Sequence, residues 1–201
     1  MPLIQRAAKF RITESEEIGP LMRQRGLNPA DVRTVILTHL HQDHEGGIHH
    51  FPNAEFIVSR KEWEVAQGFA GRMAGYLNYR WGENFRPTLI DFTDPAYGSF
   101  PHSQQITDGL YCLPTPGHSD GQLSILLDDG HQRFLFAGDV AYTEAALMDG
   151  VLDGVTLDLD TAAQSMQRTR DLVLASPTIF LPSHDPEAEI RLSNHQVAMP
   201  V

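Results

Sequence analysis

One cysteine, no long apolar run and a shortage of basic residues set the first limits on this 201-residue chain. Cys112 has no partner for an intrachain disulfide, which points to a reducing compartment, the cytoplasm. Apolar runs such as residues 34–38 and 178–182 are far too short to cross a bilayer. The first nine residues are too short and too polar for a signal peptide, so neither a membrane span nor export is expected. Lys and Arg number 15 against 26 Asp and Glu, and the formal net charge is −11. With no dense basic cluster to offset that charge, a nucleic-acid partner is not expected. Internal repeats, low-complexity tracts and interdomain linkers are also lacking. The rest is ordinary, at 41% hydrophobic and 20% charged, so residues 1–201 are expected to form one domain with a sizeable core.

Helical and strand signals alternate without a strict βαβ rhythm. Residues 15–26 read as a helix capped by Ser15 and stopped by Gly26, with Pro20 pushing the start later. Asn28-Pro29 reads as a second cap. Residues 34–38, 55–59, 87–92, 109–113 and 178–182 read as strands, and 61–67 as a helix. Residues 124–127 and 133–136 read as a hairpin joined through Asp128-Asp129-Gly130. Residues 161–175 form the strongest helical pattern, with Asp160 as cap and Ala162, Met166, Leu172 and Val173 near one face. Residues 68–82 mix aromatics, glycines and arginines, and a helical, mobile segment is expected there. This order suggests layered sheets with helices on the outside.

What the chain has in excess is histidine, ten in all. Four potential metal ligands fall in the run Thr38-His39-Leu40-His41-Gln42-Asp43-His44, directly after an apolar strand. In extended backbone, residues two apart point the same way, so His39 and His41 can grip one metal. Asp43 and His44 sit where the chain turns and can grip a neighbouring one. Three later segments each set one ligand after an apolar run: Pro116-Gly117-His118, Ala137-Gly138-Asp139 and Pro182-Ser183-His184. Strands packed side by side would bring these loops to one edge. His49, His50, His102, His131 and His195 lack this context, and surface or turn roles are expected for them.

In this order, the His-x-His-x-Asp-His run, the Gly-His, the Gly-Asp and the Ser-His resemble the metallo-β-lactamase superfamily over residues 17–192. The resemblance implies an α/β fold, the αββα sandwich, and two divalent metals. His39, His41 and His118 would hold the first metal, Asp43, His44 and His184 the second, and Asp139 would bridge them. Two neighbouring cations need shared anions to screen their repulsion. Five neutral imidazoles and two carboxylates leave the pair net positive, suited to lowering the pKa of a bridging water from about 15.7 toward ~7. An imidazole-rich set suits zinc, with iron, manganese and cobalt as alternatives.

Tyr142, three residues after Asp139, resembles the tyrosine of the N-acyl homoserine lactone lactonases, a family implicated in quorum quenching. That likeness implies attack of a metal-bridging hydroxide on the lactone carbonyl. Tyr142 would donate to the oxyanion and Asp43 would pass a proton to the leaving ring oxygen. The expected partner is therefore a small lactone or ester. The aromatics of residues 68–85 (Phe69, Tyr76, Tyr79, Trp81 and Phe85), with Met73 and Leu77, fit an acyl-chain pocket and a buried helix face equally well.

Other readings differ in class. A thioester hydrolase of the glyoxalase II type, or another esterase, shares these ligands. A mono-iron persulfide dioxygenase would not need a bridging Asp139. A non-catalytic metal-binding relic is kept in view by the N-terminus, since family members carry a longer region before the first helix. Residues 1–11 supply at most one strand, so the fold is expected to be shortened there. An unpaired edge would then favour self-association, such as a homodimer.

Overall fold

The computed structural model describes residues 12–82, 85–156 and 158–199. The expectation for residues 1–11 lies outside them. Two sheets form the centre. The first is parallel, in the order β1 (Thr34–Ile36), β2 (Glu55–Ser59), β3 (Thr88–Ile90). The second runs in sequence order: β4 (Gln104–Thr107), β5 (Leu110–Pro114), β6 (Leu123–Asp128), β7 (Arg133–Gly138) and β8 (Thr178–Pro182). It is antiparallel up to β7, and β7 pairs with β8 in parallel.

Three apolar clusters account for the layering. Ile57, Ile90, Cys112 and Leu123 meet between the two sheets. Leu37, Leu40, Val58, Ala66, Tyr76 and Trp81 fill the outer side of the parallel sheet. There α3 (Arg60–Val65) and α4 (Gly68–Ala74) lie close in sequence to β2. A third cluster, with Leu113, Leu126, Leu135 and Phe180 of the larger sheet, packs against Met166, Leu172 and Val173 of α6 (Leu159–Ala175). This is the expected sandwich, helices outside and sheets within.

Helix α1 spans Ile18–Gln24 after a 3-10 turn at Glu14–Glu16, so the helix starts later than Ser15, as Pro20 required. Helix α2 is one turn, Gln42–Glu45, and α5 covers Glu144–Asp149. Helix α6 covers Leu159–Ala175 and starts two residues before the expected point. Its cap is Asp158 rather than Asp160, because the Asp158 carboxylate accepts both the Thr161 backbone N–H at 3.1 Å and its hydroxyl at 2.7 Å. Helix α7 is Ala188–Ser193. The hairpin forms as read, although β6 spans Leu123–Asp128 and β7 starts at Arg133 as expected and runs on to Gly138. Asp129 then accepts from the backbone of His131 and Gln132 and closes the loop.

The aromatic segment is only partly a buried face. Tyr76, Leu77 and Trp81 are buried, whereas Phe69, Met73 and Tyr79 face solvent.

Candidate metal centre

Topology brings the ligand-bearing loops together. β5 and β7 both pair antiparallel with β6, so their C-terminal ends share an edge. β8 is parallel to β7, with Gly138 opposite Pro182, which sets Asp139 beside the loop of His184. β1 joins the same edge where the Leu123 N–H donates to the Thr38 carbonyl at 2.9 Å.

His39 and His41 follow β1, His41 with extended backbone as the cap of α2, and α2 then turns Asp43 and His44 back toward them. Ligand atoms of His39, His41 and His118 all lie within 4.8 Å of one another. The same holds for His39, His44 and Asp139, and for Asp43, His44 and His184. All seven residues singled out from the sequence therefore meet in one place. Asp139 is central, with Oδ1 3.3 Å from His44 Nε2 and Oδ2 3.1 Å from His184 Nε2 and 3.5 Å from His118 Nε2.

A tetrahedral site with bonds of about 2.1 Å sets its ligand atoms about 3.4 Å apart. The separations here bracket that value. His39 Nε2, His44 Nε2 and Asp139 Oδ1 are buried with no hydrogen-bond partner among the described residues. Buried polar atoms are otherwise almost always paired. His39 contacts the Thr38 hydroxyl through Nδ1 at 3.2 Å, which leaves Nε2 facing the cluster. His41 Nδ1 and His118 Nε2 stand 3.0 Å apart, two imidazoles converging on one point. The donor set fits a pair of divalent cations.

The electrostatics agree. Burial, and then the neighbouring histidines, pull His39 well below the usual imidazole range. Burial, followed by His118, lowers His41 to about 4. Both are neutral, lone-pair-bearing donors near pH 7. Burial opposes the charge on Asp139, yet the bond to His184 and the nearby His44 hold its carboxyl well below the ordinary value. His184 is raised, first by its bond to Asp139.

Tyr142 stands alongside, its ring centroid 4.8 Å from that of His184 and 6.2 Å from that of His118. Burial, then the charges of Asp153, Asp139 and Asp43, push its phenol up, so the proton stays on.

The surrounding partners were not anticipated. Asp153 Oδ2 faces His118 Nδ1 at 3.6 Å. Glu62, fully buried, accepts from Leu40 N–H at 2.9 Å, Gly121 N–H at 3.1 Å and the Ser119 hydroxyl at 2.7 Å. It thereby ties the His39–His41 loop to the His118 loop. Gln122 accepts from the Asp139 N–H at 3.3 Å. Beyond β8, buried Arg191 holds Asp185 and approaches Glu144, clamping the loops that follow His184 and Tyr142. Apart from Arg191–Asp185, six residues apart, each of these contacts spans 17 residues or more, so no local pattern announces it. His102 and His131 are exposed as expected, and exposed His195 contacts Gln132. His49 and His50 lie on a 3-10 turn, His49 exposed as expected, and both converge on Glu17.

The Metallo-beta-lactamase superfamily pattern matches residues 6–184. An N-acyl homoserine lactonase of Bacillus cereus is 29% identical over 180 residues, covering 89% of this chain and 66% of its own. N-acyl homoserine lactonase AttM of Rhizobium radiobacter is 33% identical over 175 residues, covering 81% of this chain and 62% of its own. The chain thus spans under two thirds of the length of these relatives. A crystal structure of an N-acyl homoserine lactone hydrolase, with the product N-hexanoyl-L-homoserine at its catalytic metal centre, superposes with a TM-score of 0.73. It is 27% identical, over 90% of this chain and 66% of that one. A hydrolase named AbOPH shares the fold at 20% identity, with a TM-score of 0.69. The converging loops, their order along the chain and the match over most of its length lead to one conclusion: this chain belongs to the metallo-β-lactamase superfamily.

Proposed function

We propose that the chain is a metal-dependent hydrolase that opens the lactone ring of N-acyl homoserine lactones. The observation that carries this reading is Tyr142, a phenol held protonated beside the histidine–aspartate cluster. The lactonase relatives support the substrate class. Two divalent ions, zinc by the imidazole-rich donor set, would be held by His39, His41, His118, Asp43, His44, His184 and Asp139, and would supply a water of lowered pKa and polarise the carbonyl.

The chain's own groups do the rest. The Tyr142 hydroxyl donates a hydrogen bond to the carbonyl oxygen, and that bond strengthens as negative charge develops. Asp139 is sealed from solvent at 2% exposure, while Asp43 is open at 36%. Asp43 is therefore the carboxylate able to carry a proton to the departing ring oxygen. Buried His39 and His118 close the floor of the site. The reading treats residues 1–201 as a single domain acting on a small molecule. Among the described residues, no helix is long and apolar enough to cross a membrane.

The test is proton release from N-hexanoyl- and N-decanoyl-homoserine lactone, followed with a pH indicator, before and after chelation. Chelator-sensitive ring opening is expected. Inert lactones alongside hydrolysis of an S-acyl glutathione would replace this reading with a thioesterase.

A further inference from the structure

We propose that Glu17, His49 and His50 form an additional metal site, apart from the seven-residue centre, that takes a borderline divalent cation such as zinc. Glu17 Oε2 lies 2.6 Å from His50 Nε2 and 3.3 Å from His49 Nε2. One ligand atom from each residue falls within 4.8 Å of the other two. Adjacent side chains ordinarily diverge. Here the 3-10 turn Ile48–His50 stacks the two imidazoles with centroids 4.0 Å apart and planes tilted by 38°, and both Nε2 atoms meet at one carboxylate oxygen.

The proton inventory argues for a cation. His49 Nδ1 sits 3.1 Å from the Gly46 carbonyl, which can only accept, so Nδ1 carries the hydrogen. A neutral His49 then turns the lone pair of Nε2 toward Glu17 Oε2. In that form two acceptors face each other at 3.3 Å, whereas a protonated His49 would make an ion pair with Glu17 across the same distance. A cation between them satisfies both, and a carbonyl on Nδ1 is the usual support for an imidazole ligating through Nε2.

The backbone also leaves space for this arrangement. A Cβ at Gly19 would lie 2.5 Å from His50 Nδ1, so only glycine lets α1 approach the ring this closely. The His49–Glu17 separation already matches the roughly 3.4 Å of a tetrahedral pair, and the His50–Glu17 separation needs to open by about 0.8 Å. Two imidazoles and one carboxylate select zinc, cobalt, nickel or copper over calcium and magnesium. The side chains of Glu17 and His49 are 37% and 61% exposed, so the cation has an entry path and room for water ligands. Bound there, it would tie the head of α1 to the turn that follows α2, the helix carrying Asp43 and His44.

The experiment is zinc counting by mass spectrometry after equilibrium dialysis at micromolar free zinc, on the wild-type protein and on Glu17→Gln and His49→Gln. His49 is mostly exposed, so its replacement leaves the fold intact, which thermal melting verifies. Each variant is expected to hold one zinc fewer than the wild type. Equal counts in all three proteins overturn the proposal and reduce the cluster to a His50–Glu17 hydrogen bond. The difference between the proteins reads this site alone, while the zinc remaining in the variants reads the seven-residue centre.

Discussion

Replacing Glu62 with alanine tests how the two histidine loops are held. The carboxylate is fully buried and accepts three hydrogen bonds, from Leu40, Gly121 and Ser119. Leu40 lies between His39 and His41, and Ser119 follows His118, so the carboxylate spans both halves of one ligand triad. Truncation strands three buried donors at roughly 1–3 kcal/mol each. Water entering the vacated space recovers part of this, which leaves a loss of about 3–5 kcal/mol. That is a large share of the roughly 5–15 kcal/mol that stabilises a domain. Glu62→Gln keeps the shape but turns an amide N–H₂ toward a donor, and should cost about 1–2 kcal/mol. Urea denaturation with the metal removed reads the stability. Competitive zinc titration on the folded protein reads the loops, and a roughly 10–100-fold loss of affinity is expected from misplaced ligands. A stability change below about 0.5 kcal/mol together with unchanged zinc affinity would refute the role assigned to Glu62.

Tyr142→Phe should lower kcat by about 10²-fold with metal content unchanged, measured by lactone opening and mass spectrometry on one preparation; an unaltered rate removes the phenol from the reaction. Gly117 adopts φ +138°, and a Cβ there would lie 2.4 Å from the backbone of Ala162 in α6. Gly117→Ala should therefore cost roughly 1–3 kcal/mol and displace His118, visible as a lowered melting temperature and weaker zinc binding. Cys112 is buried between the sheets, and burial pushes its thiol up to about 12. It should resist iodoacetamide at pH 8 and label fully in denaturant; rapid native labelling would contradict the packing described for the inter-sheet core.

Much of the centre was legible because ligand-type residues seldom fall at His39, His41, Asp43 and His44 directly after an apolar strand. β8 was legible to the residue, since Thr178–Pro182 is buried along its whole length and reads as one apolar run. The face of α6 followed from its 3–4 spacing. The cap of α6 did not, because Asp158 and Asp160 both suit a helix start and only the Thr161 bonds choose between them. Glu62 reads as a surface acid in the pattern of α3, and its burial depends on loops 22 to 59 residues away. Asp153 has the same character, a loop acid given meaning only by where His118 stands. The meeting of Glu17 with His49 and His50 needs α1 docked against the turn after α2, which no local spacing encodes. The aromatic segment split for a related reason. Tyr76 and Trp81 have core to fill behind β2, while Phe69 and Met73 lie on the solvent side of α4.

The central claim is that the seven converging side chains hold a pair of metals that enables ring opening. The most direct measurement is metal content and lactone opening on the same sample of His49→Gln protein, in which the Glu17 cluster is broken. The account predicts about two zinc ions per chain, loss of both metal and activity on chelation, and return of activity as the second ion is restored. Lactone opening that persists in the fully metal-free protein, or a chain that takes up no zinc, would contradict it.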